Sequence, residues 1–530
     1  MKFHDIAASS QSSVYDIDRY LNKAAQATLQ KQFAGITFER LYKSVSPERI
    51  RKLTLEAQRR DPTYRSAPNF LTYFAVRCPK GQEQASSVAA ALNAQEWKSI
   101  VESAYVGETP TTDPIITNPD DNPERVLRSA ETEYLRKAPK GIDADFAWEI
   151  ENSYGIKGGD GGGPLVGLRF VDIEQAWMIQ PNPDNLQNHE DLPTGIPIDG
   201  ANYSQDGYAH GTAVLGIVVG MHNNSPTTAN PNKGSLGITP NVHFTRVVSR
   251  WRYRNWDPTT NQWDHLFDTG DAIKYAVSDL LSRGGGTGDV LLLEAQTDYP
   301  MVYPRYRNVP VEVHEHVWHE IRQATALGII VIEAAGNGVE TNLDDLQHDT
   351  KGYMFDRANT HGTNEFSDSG AILVSAATSN VPHAPIRIPD HSVPAHTWKR
   401  VGCYGSRVDC YAWGENIRTA HYGPRDPPYA DFSGTSGAAA IVAGAALSVE
   451  GIYTENLGTR IPGVDWVNPG SPNMRQILSD PTRRTATDES TGATLSANSR
   501  YDANRNADMI GVMPNLRSII CNSLNIEPDR

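Results

Sequence analysis

The stretch Asp431-Phe-Ser-Gly-Thr-Ser436-Gly-Ala-Ala-Ala-Ile-Val-Ala-Gly444 limits what this chain can fold into. It continues, apolar and rich in alanine, to about Val449. Such a run reads as a helix without a polar face, and a helix apolar on every side has to be enclosed by the rest of the protein. Its small side chains suit close packing against a sheet. One hydroxyl, Ser436, sits at the expected first turn. Unsatisfied backbone N–H groups and the positive end of the helix dipole point there. A negative charge developing beside Ser436 is stabilised at such a place without reorganisation.

Two other stretches bear on that serine. Asp206-Gly-Tyr-Ala-His210-Gly-Thr-Ala-Val-Leu-Gly-Ile-Val-Val-Gly220 puts a histidine at the expected start of a second apolar helix. Gly328-Ile-Ile-Val-Ile-Glu-Ala-Ala-Gly-Asn337-Gly338 reads as a buried strand ending in an Asn-Gly turn. Each has a plain explanation alone, a capping histidine and a turn-forming asparagine. Taken together, HGT at 210–212, AAGN at 334–337 and GTS-x-A at 434–438, in this order, resemble the subtilisin-like serine peptidases, the subtilases. The likeness spans roughly residues 141–524. It implies an α/β fold, a subtilisin-like three-layer domain with a mostly parallel central sheet. Further buried strands at 167–172, 242–248, 288–296 and 371–377 suit that sheet.

The resemblance also implies a serine endopeptidase working through a Ser/His/Asp triad and an acyl-enzyme. Ser436 is then the nucleophile and His210 the general base. Neutral imidazole accepts the serine proton near neutral pH, and a carboxylate on its other nitrogen fixes the tautomer. Gly167-Leu-Arg-Phe-Val-Asp172 is a short buried strand ending in a carboxylate, so Asp172 is the expected acid. Its rivals are Asp160, Asp199 and Asp206. In the family, Ser/Thr-Gly usually follows that aspartate; here Ile173-Glu174 follows. His189-Glu-Asp-Leu192 resembles the family's short His-x-Asp-Leu. Asn337, an amide donor on a strand end, is expected to bind the oxyanion together with the Ser436 N–H. The strand ending Glu294-Ala295-Gln296 matches the family's substrate-pairing edge, which suits an extended peptide. Prolines usual in the family are replaced by Trp413 and Ala440. Two alternatives stay open: a catalytically silent subtilase fold that binds peptides, and esterase or acyl-transfer work with the same triad.

Composition narrows the partners. The formal charge is −15, with 39% hydrophobic and 21% charged residues. That balance argues against nucleic acid and anionic membrane surfaces. No apolar run was expected to reach the ~18 residues of a membrane span. The N-terminus lacks the apolar core of a secretory signal, so a cytoplasmic location is expected. With four cysteines, a disulfide scaffold is not expected, although Cys403 and Cys410 are close enough in sequence to pair across a turn. His314-Glu-His-Val-Trp-His-Glu320 does not match His-Glu-x-x-His and reads as a solvated helix face, so no metal is assigned. No cofactor is required, and structural calcium is not predicted. Lys157-Gly-Gly-Asp-Gly-Gly-Gly-Pro164 lacks the Gly-Lys-Ser/Thr ending of a phosphate loop.

Four regions are expected along the chain. Residues 1–35 form a helical arm, and 36–107 a small α/β domain. Residues 108–137 are a polar, exposed linker, and 138–530 the peptidase domain. Within 36–107, a helix at 47–60, a strand at 69–77, a helix at 83–95 and a strand at 100–106 suggest a β-α-β unit. Its place resembles that of a subtilase propeptide, an intramolecular inhibitor. A permanently attached accessory domain explains it equally. Trp251–Asp268 reads as a surface insertion.

Overall fold

The computed structural model describes the chain except residues 5–16, 109–116, 121–129, 139, 180–188, 203–204, 224–234, 258–261, 300–305, 380–385, 391–396, 422–428, 481–512 and 528–530. Seven strands make the central sheet: β1 Arg169–Glu174, β2 Ile198–Asp199, β3 Phe244–Ser249, β4 Val290–Leu293, β5 Ile330–Ala334, β6 Ile372–Ala377 and β7 Cys410–Trp413. Their order is β7-β6-β5-β4-β1-β3-β2, and every neighbouring pair is parallel. Such strands are covered on both faces and therefore read as continuous apolar runs; β4 is Val-Leu-Leu-Leu, wholly buried. This is the subtilisin-like three-layer α/β fold.

The chain leaves β1 for β2 and β3 on one side, then returns to place β4 on the other side of β1. Strand order reverses between β1 and β4, and the crevice at their carboxyl ends is where such sheets place their sites. Side chains alternate along each strand. Leu168, Phe170, Val290, Leu292, Ile330 and Ile332 face one core. Val171, Ile173, Leu291, Leu293 and Val331 face the other.

The first face is covered by the helix Gln205–Val219 and the helix Gly434–Leu457. Every residue of the second from Gly434 through Ile452 is buried. By length and composition this helix could cross a membrane, contrary to the sequence expectation, but the apolar stretch that passes that test is wholly buried inside the protein. The second face is covered by the helices Thr269–Ser282 and Glu315–Ala326, joined by Pro47–Arg60 from the N-terminal region.

The N-terminal region departs from its expected division. Lys2–Phe3 pairs antiparallel with Val101–Ser103, and Thr37–Arg40 with Phe74–Arg77. Two antiparallel pairs replace the expected β-α-β unit. Phe3, Tyr20, Leu21 and Leu29 share one core with Ile36, Phe74, Val88, Leu92 and Val101, so no separate arm ends at residue 35. Nor is 108–137 simply an exposed linker. The Glu108 side chain is buried, 3.2 Å from Arg250. Residues 117–120 add a third strand to the pair Ile417–Ala420 and Tyr429–Phe432. Tyr134 and Leu135 lie in the first core.

The expected surface insertion is an interface. The hairpin Trp251–Asp257 and Gln262–Phe267 lies between the N-terminal region and the sheet domain. Arg254 donates to the Leu41 carbonyl at 2.7 Å, Arg252 to Ser44 at 3.0 Å and Arg77 to Asp264 at 2.8 Å. The His314–Glu320 face is likewise buried rather than solvated. His316 meets the Tyr105 hydroxyl at 3.1 Å, and Glu320 pairs with Lys274 at 2.8 Å. Cys403 and Cys410 sit in different cores, and no disulfide joins them.

Candidate active site

Ser436 occupies the first turn of its helix and is 5% exposed. The loop after β5 approaches that turn. Asn337 Oδ1 accepts the Thr435 N–H at 2.9 Å and the Thr435 hydroxyl at 3.2 Å. The Asn337 N–H donates to Gln296 Oε1 at 2.9 Å. Gln296, expected at the substrate edge, therefore also braces the loop carrying Asn337. The Ala-Ala-Gly-Asn sequence has a steric reason. Gly336 has φ +87°, and a Cβ there would stand 2.1 Å from the Asn308 carbonyl oxygen.

His210 lies in the second turn of its helix, which begins at Gln205 rather than at the histidine. It is 2% exposed. The ring of Phe432 meets the imidazole edge-on, with centroids 5.1 Å apart. Thr212 ties the helix start to the segment after β1. Its hydroxyl accepts the Met178 N–H at 2.9 Å and donates to the Tyr208 carbonyl at 2.6 Å. Gly211 gives the room for this: a Cβ there would stand 2.5 Å from Trp177 Cδ1.

The carboxylate on the imidazole is not the expected one. His210 Nδ1 meets Glu174 Oε2 at 2.6 Å. Asp172 instead accepts the Trp177 indole N–H at 2.7 Å. Both acids stand on β1 and both point to the face covered by the helix carrying His210, because they are two residues apart. Glu174 lies one pleat, about 7 Å, nearer the carboxyl edge of the sheet. The buried Trp177 indole covers the deeper acid. Burial also raises the Asp172 carboxyl to about 7, which keeps it neutral in acid solution. The sequence carried a signal for Glu174, the Ile-Glu that replaces Ser/Thr-Gly after Asp172. The other rivals are engaged elsewhere: Asp160 holds Gly162 and Asn241, and Asp199 pairs with Arg252 at 2.7 Å. The Asp206 side chain lies outside the described residues.

Glu294 follows β4, and its backbone N–H donates to the Ile173 carbonyl at 3.2 Å. That register places it beside Glu174, on the same face. Glu294 is 3% exposed and shares a cleft with Ser436, and among the described residues neither carboxyl oxygen has a hydrogen-bond partner. Burial first, then the charge of Glu174, push it well above the ordinary carboxyl range. Glu294, Ala295 and Gln296 line a cleft with His210, Ala334, Thr435 and Ser436. The cleft measures about 10 Å³, room for roughly one water. A serine, an imidazole held by a carboxylate, and a strand-end amide thus converge where the sheet order reverses.

Residues 179–457 match the profile of the subtilase family, Peptidase_S8. The chain belongs to the subtilase family. The match begins after β1, so the two acids of that strand lie outside it. This subtilase has no match among curated protein sequences. Among solved structures it is similar to the prenylagaramide maturation protease PagA, at 12% identity and a TM-score of 0.40, covering 72% of this chain and 99% of that one. It is also similar to the MycP3 protease from the type VII (ESX-3) secretion system, at 17% identity and a TM-score of 0.40, covering 78% and 97%. Membership of the family supports serine peptidase activity.

Proposed function

We propose that this subtilase is a serine endopeptidase whose triad is Ser436, His210 and Glu174. Ser436 attacks the scissile carbonyl while His210 Nε2 takes its proton. Glu174 holds the Nδ1 tautomer and balances the imidazolium that forms. The oxyanion is received by the Ser436 N–H and the Asn337 amide, whose Oδ1 is occupied by Thr435 and whose NH2 end remains to donate. His210 returns the proton to the leaving amine. Water then hydrolyses the acyl-enzyme by the same steps reversed. The edge at 294–296 takes an extended peptide or protein substrate by backbone pairing. The 2.6 Å contact between Glu174 and His210 beside Ser436 carries this reading.

Residues 1–108 are read as an accessory domain that stays in place. Its hydrogen bonds to the sheet domain fall mainly on the hairpin 251–267 and the helices 269–282 and 315–326, with Arg60 on the Leu327 carbonyl and Glu108 on Arg250 beside them. One observation favours a second reading, a peptide binder without turnover: among the described residues His210 Nε2 has no hydrogen-bond partner. Intact mass of the wild type and Ser436→Ala, with and without a fluorophosphonate probe, tests the proposal. The expected result is one adduct on the wild type and none on the variant. An unlabelled wild type favours the binder. Shortening of the wild type near 108–150 would make the N-terminal region a removed propeptide. Product analysis on matched peptide and ester substrates separates peptidase from esterase or acyl-transfer work.

A further inference from the structure

Three carboxyl groups share the buried face of this site, where a triad uses one. Asp172 and Glu174 come from β1 and Glu294 from the end of β4. One imidazole, His210, is held by Glu174 and lines the same cleft as Glu294. Asp172 is covered by Trp177 and Glu174 is on His210 Nδ1, which leaves Glu294 as the acid beside the nucleophile.

We propose that Glu294 is a positioning residue that sets the direction of the Ser436 hydroxyl and thereby limits this subtilase to the pH range in which its own carboxyl is protonated. The inference rests on the reading of Ser436 as nucleophile and His210 as base. In the neutral form the Glu294 O–H donates to Ser436 Oγ. The serine O–H is then directed to His210 Nε2, and negative charge growing on Oγ meets a donor. In the ionised form the carboxylate accepts the serine O–H. The hydroxyl then points away from His210, and a fixed negative charge stands beside the forming oxyanion. Glu294 keeps its proton throughout the attack; the proton that moves is the serine's, to His210.

Three observations carry this. The Glu294 carboxyl is buried in the cleft that Ser436 and His210 also line. Among the described residues, neither Glu294 oxygen in that cleft is held by another hydrogen-bond donor. No lysine or arginine among the described residues forms an ion pair with Glu294, and the His210 charge that favours its ionised form is outweighed by burial and by Glu174. β1 brings Asp172 and Glu174, the helix 205–219 brings His210, and the serine helix brings Thr435 and Ser436. β5 presents Ala334 at this level, its Glu333 facing the other way to accept the Glu312 N–H. Burial and the neighbouring Glu174 charge therefore both favour the protonated acid.

The test is the rate of fluorophosphonate labelling at Ser436 across pH 5–10, in full-length wild type, Glu294→Gln and Glu294→Ala. The wild type is expected to lose rate on the alkaline side, approaching about tenfold per pH unit beyond the Glu294 titration. Glu294→Gln keeps a permanent donor and is expected to hold its rate to the alkaline end. Glu294→Ala, slower throughout, is expected to lack the alkaline fall as well. The inference is overturned by a wild type with a flat alkaline limb, or by a fall of equal size in the variants. Labelling in no protein at any pH overturns the nucleophile reading and this inference with it.

Discussion

At the scale of single residues, two acids on one strand compete for one imidazole, and reach decides between them. Asp172 ends the predicted strand and has the expected residue type. Glu174 stands one pleat further out, with a longer side chain, and meets His210 Nδ1 at 2.6 Å. Their substitutions therefore separate sharply. Glu174→Gln keeps the shape but offers an amide in place of the charge, so kcat is expected to fall by about 10⁴-fold, the loss known for an acid-to-amide change at such a position. Asp172→Asn keeps an acceptor for the Trp177 indole and is expected to cost roughly tenfold or less. Steady-state kinetics on a peptide substrate check both. Equal losses, or the reverse order, would return the role to Asp172.

At the scale of elements, the site depends on how closely the helix 205–219 meets the segment after β1. Gly211 sets that distance. A Cβ there would stand 2.4 Å from the Ala176 carbonyl oxygen and 2.5 Å from Trp177 Cδ1. Because the oxygen belongs to the backbone, the helix start has to move. Gly211→Ala is expected to destabilise by about 1–3 kcal/mol, the usual range for overpacking. It also shifts His210, the adjacent residue, away from Glu174. A lowered Tm together with slower probe labelling is the expected pair of results. Unchanged Tm and labelling would show that the helix start accommodates a methyl group.

At the scale of the whole molecule, stability is expected to fall on the alkaline side. Several acids are buried without full compensation and hold protons that the unfolded chain releases. Glu450, near the middle of the serine helix, is raised by burial from 4.5 to about 9. Asp172 and Glu320 are raised by burial to about 7. A raised acid favours the fold fully below its ordinary value, and that contribution is lost as pH rises through the raised one. Tm is thus expected to decline between pH 5 and pH 9. Glu450→Gln, which keeps an acceptor for the Ile461 N–H, is expected to make the decline shallower. A decline of unchanged slope in the variant would place its source in the other acids.

Much of this was legible from residues alone. An all-round apolar helix headed by Ser436 has to be enclosed, and the fold encloses it inside the protein. HGT and AAGN carried their own steric reasons, Thr212 tying two segments and Gly336 admitting a neighbouring backbone. Other features depended on partners distant in sequence. A strand period of two puts Asp172 and Glu174 on one face, so only the packed position of Trp177 and the helix carrying His210 selects between them. The His314–Glu320 face looked solvated because its partners, Tyr105, Glu108 and Lys274, come from elsewhere in the chain. The N-terminal division failed for the same reason: Phe3 finds its core beside Phe74 and Val101. Local pattern determined which segments would be buried and which residues could react. Tertiary packing decided which acid reaches the imidazole and which charged faces are dry, since both depend on distances between segments that no local pattern encodes.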